Sequence, residues 1–147
     1  MIFFAILAAL ALALIPSITL ATTVSYDTRY DNGGSSLTSV ACSDGSNGLI
    51  MRGYNNFQDL PSFPHIGGAQ AVGGWNSPNC GTCWQLAYTN AQGTTKTINV
   101  LAIDVAQSGF NIALSAMNEL TNGNAVQLGR IDVVSQQVGA SACGLKA

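Results

Sequence analysis

Charge is what this chain has least of. Asp, Glu, Lys and Arg make up 8% of its 147 residues, and the net charge is −2. Arg29, Arg52, Lys96, Arg130 and Lys146 are its only cations, and they stand singly. Nucleic acids and anionic membranes are bound by clustered Lys and Arg, so both classes of partner are excluded. The one histidine, His65, sits between Pro64 and Ile66, and there is no Gly-x-Ser-x-Gly elbow. Nucleophilic catalysis therefore has no visible machinery. Gly67-Gly68 and Gly73-Gly74 are not followed by Lys-Ser or Lys-Thr, so neither is a phosphate loop. What remains is a nearly neutral chain with 16 glycines and many Asn, Ser and Thr. Such a hydrogen-bonding surface suits neutral polymers such as polysaccharides, and its weak self-repulsion favours self-association.

Ile2 to Ile15 is almost purely apolar, Pro16 and Ser17 break it, and Thr19-Leu20-Ala21 offers small residues where a signal peptidase reads. This pattern predicts an export leader over residues 1–21, although the terminal amine is its only positive charge. The apolar run is shorter than the ~20 residues a membrane span needs. Residues 22–147 then form one domain, secreted and free of any membrane anchor.

Export decides how the cysteines read. Cys42, Cys80, Cys83 and Cys143 are an even set, with Cys80 and Cys83 in Asn79-Cys80-Gly81-Thr82-Cys83-Trp84. Inside a cell the spacing suggests a redox dithiol or half a zinc site. A second Cys-x-x-Cys is lacking and His65 is remote, so no metal and no cofactor are expected. Outside the cell, two disulfides are expected. Tying Cys80 and Cys83 to the distant Cys42 and Cys143 closes long loops, worth about 3–4 kcal/mol each in the chain-entropy model. Which of the two pairs with which stays open at this level.

Val24 to Asp27, Cys83 to Tyr88, Lys96 to Asp104 and Arg130 to Val138 read as strands. The clearest is Lys96–Asp104, with Ile98, Val100 and Ala102 on one face. Ser36 to Cys42 suggests a short helical turn capped by Ser35 or Ser36. Ile112 to Leu120 has helical spacing and stops at Asn122-Gly123. Residues 55–74 read as a long ordered loop whose Phe57, Phe63 and Ile66 need burial. Many short strands with one credible helix point to a mainly β (α+β) fold, a small barrel with appended helices.

Asp104 is the carboxylate of interest, because an apolar strand carries it to a sheet rim, where partial desolvation favours acid chemistry. Glycoside hydrolysis needs a second carboxylate across the scissile bond. None of Asp27, Asp31, Asp44, Asp59, Glu119 and Asp132 is set up convincingly for it. Tyr26, Tyr30 and Tyr54 lie among polar residues and are candidates to stack on sugar rings. Trp75 and Trp84 flank the cysteines and are expected to pack over the disulfides.

Together these pieces resemble the cerato-platanin family of small secreted fungal proteins. The resemblance rests on Val24-Ser25-Tyr26-Asp27 with Tyr30, Ala41-Cys42-Ser43-Asp44-Gly45, and Pro61-Ser62-Phe63-Pro64 with Ile66-Gly67-Gly68. It rests further on Trp75-Asn76-Ser77-Pro78-Asn79-Cys80-Gly81-Thr82-Cys83-Trp84, Ile103-Asp104, Gly109-Phe110-Asn111 and Cys143. It implies a six-stranded double-psi β-barrel with short appended helices and the disulfides Cys42–Cys80 and Cys83–Cys143. It also implies an extracellular, wall-associated protein that binds chitin or N-acetylglucosamine oligomers and cellulose. Expansin-like loosening without hydrolysis, self-assembly, and elicitation of plant defence through a host receptor complete the expectation. Asp104 matches the family aspartate tied to loosening, and Asn111 a residue of the shallow sugar groove. The readings in competition are a weak hydrolase or lytic transglycosylase using Asp104, and a surface-active coat protein.

Overall fold

The longest apolar alternation in the sequence becomes the longest strand. The computed structural model describes residues 18–146. Six strands run as β1 (Leu20–Tyr26), β2 (Ile66–Ala69), β3 (Cys83–Thr89), β4 (Thr95–Val105), β5 (Phe110–Ile112) and β6 (Arg130–Val138). They close into a barrel in the order β1-β5-β2-β4-β3-β6. The β1/β5 and β2/β4 pairs are parallel and the remaining four antiparallel. This is the closed, mixed six-stranded barrel that the resemblance implied.

Along β6 buried and exposed residues alternate, with Ile131, Val133 and Ser135 inside. On β4 both faces are covered beyond Asn99: Val100, Leu101, Ala102 and Ile103 are all buried. The helices α1 (Leu114–Thr121) and α2 (Ala125–Leu128) are the appended helices, and α1 packs on β4, β1 and β3. Met117 and Leu120 complete that layer of the core.

Cys42 is bonded to Cys80 and Cys83 to Cys143, closing spans of 38 and 60 residues. In the chain-entropy model each closure contributes about 4 kcal/mol. Both bonds are buried, and they fasten the loop before β3 and the C-terminal turn to the barrel.

Several sequence expectations shift. The predicted loop over 55–74 contains a barrel strand, β2, whose centre is Gly67-Gly68. A Cβ on Gly67 would lie 2.3 Å from the Asn111 carbonyl oxygen, and one on Gly68 2.5 Å from that of Val105. Only glycines let β5 and the end of β4 approach so closely. The predicted helix begins at Leu114, because Phe110–Ile112 is the strand β5, and it ends at Asn122 (φ 55°) as expected. The turn at Leu37–Ser39 forms, with the Ser36 hydroxyl accepting from the Thr38 N–H. β1 begins at Leu20, before the expected cleavage point, with Leu20 and Ala21 paired to Ser135 and Val134. Residues 1–17 of the expected leader lie outside the described residues.

Candidate functional site

The groove near the end of β4 is built on Asp104. Gly67 pairs with Ala102 but Gly68 with Asp104, so β4 carries one extra residue there, a bulge. Bulges re-aim side chains, and the Asp104 carboxylate is buried, with 8% of the residue exposed. Its Oδ1 accepts the Ala41 N–H at 3.0 Å and the Val105 N–H at 2.9 Å. Its Oδ2 accepts the Tyr30 hydroxyl at 2.9 Å and a guanidinium N–H of Arg29. Four protein donors thus occupy the carboxylate.

Arg29 and Tyr30 lie on a short 3-10 turn, Thr28–Asp31, directly after β1. Two aspartates fix that turn. Asp27 caps it by accepting the Arg29 N–H at 2.9 Å. Asp31 reaches the start of α1, accepting the N–H groups of Leu114 (2.8 Å) and Ser115 (3.0 Å). Those are orphan donors of the helix N-terminus, and a carboxylate there is also favoured by the helix dipole. Arg29 folds back over the Tyr30 ring, 4.7 Å from its centroid, and donates to the Tyr30 oxygen at 2.9 Å. Burial raises the Tyr30 phenol far above its ordinary pKa. The Arg29 bond opposes that rise and the Asp104 charge adds to it. The group is a neutral donor at any physiological pH.

Above this assembly opens a groove of about 340 Å³. Ser25 and Asn111, cross-strand partners on β1 and β5, form its floor, and Val105 to Ser108 form one wall. Asp27, Arg29, Tyr30 and Arg130 line the remainder. With Asp104 behind them, two guanidinium groups face two carboxylates, so the groove is formally neutral. Asn111 supplies its open valence: its Oδ1 is buried and has no hydrogen-bond partner. An unpaired buried acceptor is costly, and a ligand N–H or O–H would relieve it once the Asn111 amide turns into the groove.

The structure brings Tyr30 and Asn111 to the groove and sets Asp104 behind Tyr30 and Arg29. Tyr26 is elsewhere: one residue past Ser25, it is turned by strand alternation to pack against the core. Trp75 does not pack over a disulfide. It is 64% exposed, and its indole N–H donates to Asp44 at 2.9 Å. Trp84 does pack inward, edge-on to Phe110 at 5.6 Å. Arg29 was not singled out in the sequence; its one signal there is adjacency to Tyr30.

The family model for cerato-platanin matches residues 22–145. The chain belongs to the cerato-platanin family. A curated relative, the heat-stable 19 kDa antigen of Coccidioides immitis, is 48% identical over 149 residues, spanning 97% of this chain and 99% of its own length. The crystal structure of cerato-platanin 2 from M. perniciosa superposes with a TM-score of 0.81 at 54% identity, covering 85% of this chain and 99% of that one. The solution structure of the fungal elicitor cerato-platanin does so with a TM-score of 0.72 at 36% identity, covering 82% and 95%. In this cerato-platanin the Arg29–Tyr30–Asp104 assembly therefore sits on a barrel shared with those structures. Among its described residues no helix is long and apolar enough to cross a membrane.

Proposed function

We propose that this cerato-platanin is a secreted, non-hydrolytic carbohydrate-binding protein whose groove takes a neutral glycan, with chitin-type N-acetylglucosamine oligomers and cellulose as the ligand class. The observation that carries the reading is the partnerless Asn111 Oδ1 on the floor of a charge-balanced groove. A glycan supplies the hydroxyl or acetamido N–H that this oxygen needs, without bringing a charge. Ser25 and Gln107 offer further polar contacts.

Arg29 meets the ligand, and Tyr30 and Asp104 act behind it as positioning residues. Asp104 has no free oxygen to offer a sugar hydroxyl, since its two oxygens already accept four donors. The same saturation argues against hydrolysis: a general acid must hand a proton to the leaving oxygen, and a second carboxylate must stand free across the bond. Asp27, the other carboxylate at the groove, caps the 3-10 turn. Binding without cutting would exchange polymer–polymer hydrogen bonds for protein–polymer ones, so that chains slip apart in an expansin-like loosening.

Export follows from residues 1–21 as a leader. Cleavage after Ala21 removes the half-exposed end of β1 and leaves Thr22 paired with Val133. The mature protein would act outside the cell or in the fungal wall, with elicitation of plant defence as a further activity. The test is incubation with N-acetylglucosamine and cellulose oligomers. Saturable binding with no new reducing ends supports the reading; new reducing ends that Asp104→Asn abolishes would establish the hydrolase instead.

A further inference from the structure

A larger cleft, about 450 Å³, opens on another face of the barrel. Its floor is the β3/β4 pair, where Gln85 and Asn99 are directly opposite each other in the register. Side chains opposite on an antiparallel pair stand side by side, so two amides point together into the cleft. Thr97 and the exposed Glu119 add a hydroxyl and a carboxylate, and Pro61 supplies apolar surface. At its mouth His65 Nε2 lies 2.5 Å from Glu119 Oε2, linking the loop before β2 to α1 and closing one side. The C-terminal turn, held by the Cys83–Cys143 bond, closes another.

This cleft repeats the chemical signature of the first groove. The Asn99 Oδ1 is buried and has no partner, and it and the Asn111 Oδ1 are the buried side-chain atoms so left among the described residues. The Asn99 amide nitrogen reaches the Ala142 carbonyl only at 3.5 Å, the limit of a weak bond. The two unpaired acceptors thus fall in two separate depressions. No residue lines both. In the barrel circuit the β1/β5 pair and the β4/β3 pair are opposed, with β2 between them on one side and β6 on the other.

We infer that the Gln85–Asn99 cleft is a second saccharide site, and that one molecule joins two glycan chains through opposite walls of its barrel. The inference rests on the glycan reading of the first groove for its ligand class and on Asn99, Gln85 and the cleft geometry for its location. The ligand is a neutral sugar whose O–H or acetamido N–H draws the Asn99 amide into the cleft and donates to its Oδ1, with its ring lying against Pro61. Two sites on opposed walls cannot both fold onto one straight short oligomer. They act between chains, and linking them raises avidity for a polymer above that for a short oligomer.

The test is a residue-resolved NMR titration with a tetramer of N-acetylglucosamine. Two separate sets of shifting signals are expected, one around Ser25, Gln107 and Asn111 and one around Gln85, Asn99 and Ala142. Gln85→Ala with Asn99→Ala should weaken the second set about tenfold and leave the first and the melting temperature in place. The same pair of substitutions should abolish the turbidity that the protein raises with soluble glycol chitin at a limiting protein ratio. Shifts at the first groove alone would overturn the second site and leave the first reading intact. Shifts at the cleft alone would overturn the first reading, and shifts at neither would overturn both. Two sets without turbidity would overturn the bridging.

Discussion

The Tyr30 hydroxyl donates to Asp104 at 2.9 Å across 74 residues of sequence, joining the turn after β1 to the bulged end of β4. That one bond makes the groove wall and the barrel strand a single unit. Arg29 shares the same carboxylate oxygen.

Replacing Asp104 with Asn should loosen this unit. The amide can still accept from Ala41 and Val105, but its N–H groups then face the donors of Arg29 and Tyr30. A loss of about 2 kcal/mol is expected, as for other buried donors left without an acceptor. Oligosaccharide affinity should fall with it. Calorimetric unfolding and a binding titration check both; full stability with lost binding would mean that the carboxylate touches sugar directly.

Alkaline pH should destabilise the protein through Tyr30. Its folded pKa is raised above the ordinary phenol value, chiefly by burial. The stabilising contribution is therefore whole below about pH 10, where the unfolded phenol begins to ionise, and is lost as pH rises toward the folded value. Denaturant midpoints at pH 9 and pH 11 should diverge for the native chain and diverge less for Tyr30→Phe.

Acid should act at a different place. The Trp75 indole N–H is the main cause that lowers the Asp44 pKa, so the bond's contribution is present above the ordinary carboxylate range and lost as pH falls through the depressed folded value. The Trp75 indole proton resonance should shift below about pH 3.9. In Asp44→Asn that shift should be absent.

The glycines of β2 should be intolerant. Gly68→Ala places a methyl 2.5 Å from the Val105 carbonyl oxygen and should cost about 3 kcal/mol or prevent folding. Gly73→Ala, with nothing within 4 Å, should unfold like the native chain in chemical denaturation.

These glycines also explain what the sequence could not reveal. β4 was legible because Ile98, Val100 and Ala102 alternate, and β6 because Ile131 and Val133 do. β2 has two glycines at its centre and no side-chain period to read. Helix α1 was placed too early because Ile112 continues its spacing; its true start is fixed by Asp31, which lies 83 residues before Leu114. Asp104 was visible as the end of an apolar strand. Its saturation by Ala41, Val105, Tyr30 and Arg29 was not, since three of those partners come from distant segments. Trp75 looked like a core residue by its closeness to Cys80, yet its loop faces outward and Asp44 holds its indole.

The most direct measurement is a crystal structure with the N-acetylglucosamine tetramer bound. The account predicts a sugar hydroxyl or acetamido N–H about 3 Å from Asn111 Oδ1, with Arg29 against the ligand and Tyr30 and Asp104 behind it. A saturating ligand that leaves Asn111 Oδ1 untouched, or that displaces Tyr30 to reach Asp104, would contradict it.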